Sequence, residues 1–216
     1  MKTIGVIHTV KVVIDFFESL VHKHIEDVVV YNILDDYLSK NMISKGLFAE
    51  REKLRFISLA REFEIIGADA IVCTCSFVTS ILPNARGFLA VPVLSIDEYM
   101  FEQATEKGGK FLVAATTVLD PVVEGLRRSA EISSRTVEIH TLHCPEAGKI
   151  MSSGGDMDEH DAIVLESIKD AKNYDGIVFA QASMAHLKDK VEDLCGIEVF
   201  SAPYYCIRQL QDTLGR

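Results

Sequence analysis

Asp69-Ala70-Ile71-Val72-Cys73-Thr74-Cys75-Ser76-Phe77-Val78 is the stretch whose reading decides the fold. Ala70 to Cys73 is an unbroken apolar run, too short for a helix and preceded by Gly67, so it is expected to form a strand buried on both faces. Past Thr74 the pattern changes: Val78, Ile81 and Leu82 recur at helical spacing, with Ser76 placed to cap that helix. Cys75 then falls at the carboxyl end of a buried strand and against the positive end of a helix. Such surroundings stabilise a thiolate, and open α/β sheets bind ligands at the carboxyl ends of their strands. A free buried cysteine is ordinarily an inert packing group. Cys73, inside the strand, reads that way; Cys75 differs by its place.

Shifted by 106 positions, the sequence matches itself at three separated points. Gly5-Val6-Ile7-His8-Thr9 meets Phe111-Leu112-Val113-Ala114-Ala115. Asp69 to Cys75 meets Asp175-Gly176-Ile177-Val178-Phe179-Ala180-Gln181. Pro92-Val93-Leu94-Ser95 meets Glu198-Val199-Phe200-Ser201. Two similar α/β halves are therefore expected, over residues 1–97 and 98–203, with a closing helix over 204–216 packing back on the first and a site between them. Strands alternate throughout with helical stripes such as Val10, Val13, Ile14, Phe17 and Val21. That alternation gives parallel sheets with right-handed crossovers. The fold class is α/β, with two pseudo-symmetric halves, each a small parallel sheet flanked by helices. Ser152-Ser153-Gly154-Gly155-Asp156 reads as a glycine-rich loop, either a mobile turn or a lid, without the spacing of a phosphate or dinucleotide loop.

The formal net charge of −10 speaks against a nucleic-acid partner, which needs clustered Lys and Arg. No apolar stretch is long enough to span a membrane, and the first residues lack a signal-peptide pattern. Five cysteines, an odd number, fit free thiols in a reducing cytoplasm. No cofactor and no metal are expected. The rival constellation is His140-Thr141-Leu142-His143-Cys144, but strand alternation sends His140 and Leu142 to one side and Thr141 and His143 to the other. A zinc site there needs an irregular turn, so His143 or Cys144 reads instead as a cleft-lining group. His22 and His24 fall on different helix faces, His160 and His186 carry no signal, and Cys195 and Cys206 read as packing residues.

Two pseudo-symmetric halves with Ile71-Val72-Cys73-Thr74-Cys75-Ser76 at the end of a central strand resemble the Asp/Glu racemase superfamily. That group includes aspartate, glutamate and hydantoin racemases, maleate isomerase and arylmalonate decarboxylase, and its motif reads apolar-apolar-x-x-Cys-Asn-Thr. The resemblance covers essentially the whole chain and implies that Cys75 is the first catalytic thiol of a cofactor-independent enzyme. It also implies a small carboxylate as substrate and a homodimer. Racemases of this type carry a second cysteine where this chain has Gln181, and an amide cannot carry a proton near neutral pH. Arylmalonate decarboxylases also work with one thiol. Three readings follow: a racemase or isomerase of a small carboxylate, a one-thiol decarboxylase or lyase, and a non-catalytic binder of small acids.

Either reaction builds negative charge on an enediolate and calls for prepositioned donors. The candidates are Thr9, the amides of Ser76 and Phe77, the hydroxyls and amides of Thr116 and Thr117, and Gln181, Ala182 and Ser183 opposite Cys75. In the family, a threonine-containing turn at the place of Thr116 and Thr117 binds the substrate carboxylate. Cys75 is expected to be the general acid or base, its pKa moved toward neutrality. His8, ending the first strand, is expected to orient or deprotonate Cys75, or to bind a carboxylate as the cation.

Overall fold

The computed structural model describes residues 1–45 and 50–215, with side-chain surroundings defined outside residues 42–45. The chain divides into two compact units, Met1–Tyr99 with Pro203–Arg216, and Met100–Ala202. Among the described residues, no helix is long and apolar enough to cross a membrane.

The first unit runs β1 (Lys2–His8), a 3-10 turn (Lys11–Val13), α1 (Ile14–His24), β2 (Val28–Leu34), α2 (Asp36–Lys45), α3 (Glu50–Ile65), β3 (Ala70–Cys73), α4 (Ser76–Thr79), α5 (Leu82–Arg86) and β4 (Val93–Ser95). Its strands are all parallel, in the order β2-β1-β3-β4. The central β3 is buried at every residue, as its continuous apolar run requires of a strand covered on both faces. Ile7, Leu38, Phe56, Phe63, Ile71 and Val78 belong to one core cluster. Gly5 makes that packing possible. A Cβ there would stand 2.2 Å from the Phe63 ring, so α3 approaches β1 through the missing side chain.

After β4, α6 (Glu98–Lys107) leads into the second unit: β5 (Gly109–Ala115), α7 (Asp120–Ile132), β6 (Val137–His143), α8 (Pro145–Ser153), α9 (Met157–Ile168), β7 (Gly176–Phe179), a 3-10 helix (Ala182–Leu187), α10 (Lys188–Cys195) and β8 (Val199–Ser201). The order is β6-β5-β7-β8, again all parallel. The last helix, α11 (Ala202–Leu214), returns to the first unit. There Gln211 Nε2 donates to the His24 carbonyl at 2.8 Å, and Tyr205 meets Tyr99 edge to face.

Two expectations need correction. Ser152 and Ser153 are the last turn of α8, which Gly154 closes in the left-handed conformation, and the Asp156 side chain caps α9 directly afterwards. The stretch is thus a junction between helices, with a glycine supplying the positive φ. The repeat also slips. β3 with β7 and β4 with β8 keep the offset of 106, but β1 matches β5 one residue further along, His8 with Ala115 and Thr9 with Thr116. The ladders agree: Thr74 N–H donates to the Ile7 carbonyl as Ala180 N–H does to the Ala114 carbonyl. Apolar runs align equally well in either register, whereas backbone pairing distinguishes them because one step reverses the face of every side chain.

Candidate functional site

In the first sheet the strand order reverses between β1 and β3. Connections on either side of such a point diverge, leaving an opening at the carboxyl edge. Thr9 follows β1 there, and Thr74 and Cys75 follow β3. Cys75 occupies the N-cap position of α4 in an extended conformation, φ −128° and ψ 115°, so Ser76 is the first helical residue and not the cap. The Thr9 side chain and the Phe77 and Val78 amides act on the Cys75 sulfur in the sense that favours its thiolate, and the Val78 amide donates to the Cys75 carbonyl at 3.0 Å. Burial nevertheless dominates and pushes the thiol above its ordinary pKa; those three groups oppose the shift without reversing it. The expected move toward neutrality is therefore overturned. A helix of four residues has little dipole to offer, and Cys75 is buried.

Both ring nitrogens of His8 have partners other than Cys75. His8 is fully buried, with Nε2 2.9 Å from Asn32 Oδ1 and Nδ1 2.9 Å from the Thr74 hydroxyl. Asn32 Nδ2 donates to Glu18 at 2.6 Å, which turns its oxygen toward the ring. His8 Nε2–H then donates to Asn32, while Nδ1 meets the Thr74 hydroxyl, whose oxygen also lies 3.5 Å from the Ile7 carbonyl. Burial lowers the His8 pKa, against the Asn32 hydrogen bond and the Glu18 charge. His8 thus ties the end of β1 to β2 and to Thr74, the residue before Cys75.

Asp97 is the ionisable group that the sequence reading missed. It follows β4 at the same carboxyl edge, is 2% exposed, and its pKa is raised to about 6. Desolvation drives that shift; hydrogen bonds from Ser76 and Thr79 work against it, and the Glu98 charge adds to it. The Asp97 amide donates to Ser95 Oγ at 3.1 Å, and Ser95 meets Thr79 at 2.6 Å. The Ser76 hydroxyl is thereby committed to Asp97, and the Asp97 charge also helps hold the Cys75 thiol protonated. The signal was available: a carboxylate immediately after an apolar strand, where Ser95-Ile96-Asp97 ends it.

The second unit repeats the arrangement with different chemistry. Gln181 is the N-cap residue of the 3-10 helix, at φ −123° and ψ 137°, the backbone counterpart of Cys75. Its Oε1 accepts from the Thr116 amide at 2.8 Å and the Thr117 amide at 3.4 Å, and its Nε2 donates to the Val118 carbonyl at 2.6 Å. The two amides expected to await a substrate carboxylate thus hold a carboxamide of the chain itself. Thr116 Oγ1, the counterpart of the Thr9 hydroxyl, is buried without a hydrogen-bond partner. Gly148 of α8 fixes the turn from below, since a Cβ there would lie 2.0 Å from the Thr116 carbonyl oxygen. Ala182 and Ser183 are half-buried beside Gln181, and the Ser183 carbonyl is engaged by His186.

The His140 to Cys144 stretch does not converge. His140 contacts Glu138 and Tyr174, His143 is exposed, and Cys144 lies in the core as the N-cap residue of α8. Cys73, Cys195 and Cys206 are buried free thiols whose pKa values burial raises, as expected of packing residues.

A family model described as Asp/Glu/Hydantoin racemase matches residues 49–209. Among solved structures, aspartate racemase from Picrophilus torridus superposes with a TM-score of 0.71 at 16% identity, over 100% of this chain and 95% of that one. An aspartate racemase homologue from Pyrococcus horikoshii OT3 gives 0.71 at 17% identity over 100% of both chains. A variant of arylmalonate decarboxylase in its sulfate-associated form gives 0.64 at 16% identity, over 99% and 93%. At these identities the likeness is one of fold. By sequence, no curated protein matches the chain.

Proposed function

The chain belongs to the Asp/Glu/Hydantoin racemase family, and we propose that it moves a proton at the carbon beside the carboxylate of a small acid, as a cofactor-independent racemase or isomerase with Cys75 as its proton carrier. The observation that carries this reading is the convergence of the Thr9 side chain and the Phe77 and Val78 amides on the Cys75 sulfur, at the point where strand order reverses. Those donors favour the thiolate once it forms, while burial favours the thiol, so the group is built to hold either state. As a base, the thiolate takes the α-proton and the electron pair passes into an enediolate; the thiol returns a proton to the same face, and inversion is completed when water supplies the proton on the opposite face. The Thr116 and Thr117 amides seat the Gln181 oxygen, and a substrate carboxylate would take their hydrogen bonds by displacing it. Thr117, Gln181, Ala182 and Ser183 complete the proposed binding set, and Asp97 acts as a positioning residue through Ser76.

Two observations favour a one-thiol reaction, the decarboxylation of a substituted malonate. The resting form of Cys75 is the thiol, and Gln181 stands at the equivalent position of the second unit. In that reaction the bond to one carboxylate breaks, carbon dioxide leaves, and its electron pair stays as the enediolate. The Cys75 proton then forms the new C–H bond, and water restores the thiol. Aspartate, glutamate, a hydantoin and a phenyl-substituted malonate in heavy water, followed by NMR and chiral chromatography, separate the two. Deuterium entry with loss of optical purity marks a racemase; loss of carbon dioxide with one enantiomer formed marks the decarboxylase. Either activity surviving intact in Cys75→Ser would remove the thiol from the mechanism.

A further inference from the structure

We propose that His160, Asp161 and His186 form a binding site for one divalent transition-metal ion in the second unit, separate from the Cys75 chemistry. His160 and Asp161 lie in the first half of α9, and His186 lies in the 3-10 helix that follows β7. Each residue offers one ligand atom, and the three atoms lie within 4.8 Å of one another. Asp161 Oδ1 is 2.9 Å from His160 Nδ1 and 2.8 Å from His186 Nε2. Two ligand atoms each about 2.1 Å from one ion and at right angles stand about 3 Å apart. One ion therefore spans both pairs with small adjustment.

The hydrogen bonds point the same way. His186 Nδ1 is 3.0 Å from the Ser183 carbonyl, which can only accept, so this nitrogen carries the hydrogen. In the neutral ring, Nε2 is then a bare lone pair turned toward a carboxylate oxygen, a contact that either a proton or a metal ion between them satisfies. Metal-bound histidines are held in this manner, with the other nitrogen donating to a carbonyl that fixes ring and tautomer. His160 is fully buried and presents Nδ1 to Asp161, so its ring is held in place on the closed side of the cluster.

Exposure grades across the cluster, from a His160 side chain at 0% through Asp161 at 13% to His186 at 39%. The back is closed and the front open, which provides an entry path and room for water to complete the coordination. Two imidazoles and one carboxylate suit zinc, cobalt, nickel or iron; calcium and magnesium take oxygen ligands. Among the described residues, this is the cluster in which such atoms converge.

The test is titration of chelator-treated protein with Co²⁺, read by calorimetry and visible absorption, with Zn²⁺ as competitor. The expected result is one ion per chain, displaced by Zn²⁺, without sulfur-to-metal charge-transfer absorption. His186→Ala and Asp161→Asn, at the open side of the cluster, should each weaken binding by on the order of a hundred-fold. His140→Ala should leave it unchanged. Thermal melts by circular dichroism establish that the variants fold, and Co²⁺ should raise Tm in the wild type but not in the two ligand variants. A trio held together by protons alone binds no ion. Absence of saturable binding, equal binding in His186→Ala, or cysteine-type absorption would each overturn the site. None of these readouts depends on activity, so the Cys75 proposal stands or falls separately.

Discussion

Replacing Asp97 by asparagine removes a buried charge while keeping the shape of its side chain. The folded pKa of about 6 stands above a reference of 3.8. Below the reference value the proton is bound in both folded and unfolded chains, and Asp97 has no effect on the balance. Between 3.8 and about 6 the folded chain keeps a proton that the unfolded chain has released, so stability falls as pH rises through that window. At neutral pH the fold bears the full cost of an ionised Asp97, about 3 kcal/mol at 1.36 kcal/mol per unit. The Asp97→Asn variant carries no such cost, and its amide oxygen can still accept from Ser76 and Thr79. Urea unfolding of both proteins at closely spaced pH values from 4 to 7.5 gives the difference directly. The variant should gain on the wild type by about 3 kcal/mol across the range. A difference that stays constant with pH would refute the assignment of Asp97 as a buried, raised carboxyl group.

Three further outcomes follow from the same geometry. Thr9→Val removes the side-chain donor to the Cys75 sulfur, so the pH profile of Cys75 alkylation should move to higher pH; an unmoved profile would mean that Thr9 does not reach the sulfur. Gln181→Ala leaves the buried Thr116 amide without its acceptor and should cost about 1–3 kcal/mol in urea unfolding; a neutral substitution would show that the turn does not depend on the carboxamide. Gly148→Ala places a methyl against the Thr116 carbonyl and should cost about 1–3 kcal/mol by overpacking; a variant as stable as the wild type would contradict that close approach.

The alternation of strands and helices was legible because each carries its own period, and Cys75 could be placed at a strand end from one apolar run. Its protonation state was not legible. Desolvation depends on what packs around the sulfur, and Thr9 and Asp97 reach its surroundings from strands distant in sequence. His8 shows the same limit: its place at the end of β1 was readable, but its partners Asn32 and Thr74 come from β2 and from the residue after β3. Gln181 was recognised as lacking a thiol, yet its capture by the Thr116–Thr117 turn required the corrected register of the repeat. The bounds of α8 carry a sequence cue, with Pro145 at its first position and Gly154 just past its last. His160 and His186 sit on different elements, and no spacing rule brings them together.

The most direct test is α-carbon deuterium incorporation into a small acid in heavy water, compared between the wild type and Cys75→Ser after equal folding is shown by circular dichroism. Incorporation by the wild type and its loss in the serine variant are the predicted results. Incorporation at an equal rate in both would contradict a proton carried by the Cys75 sulfur.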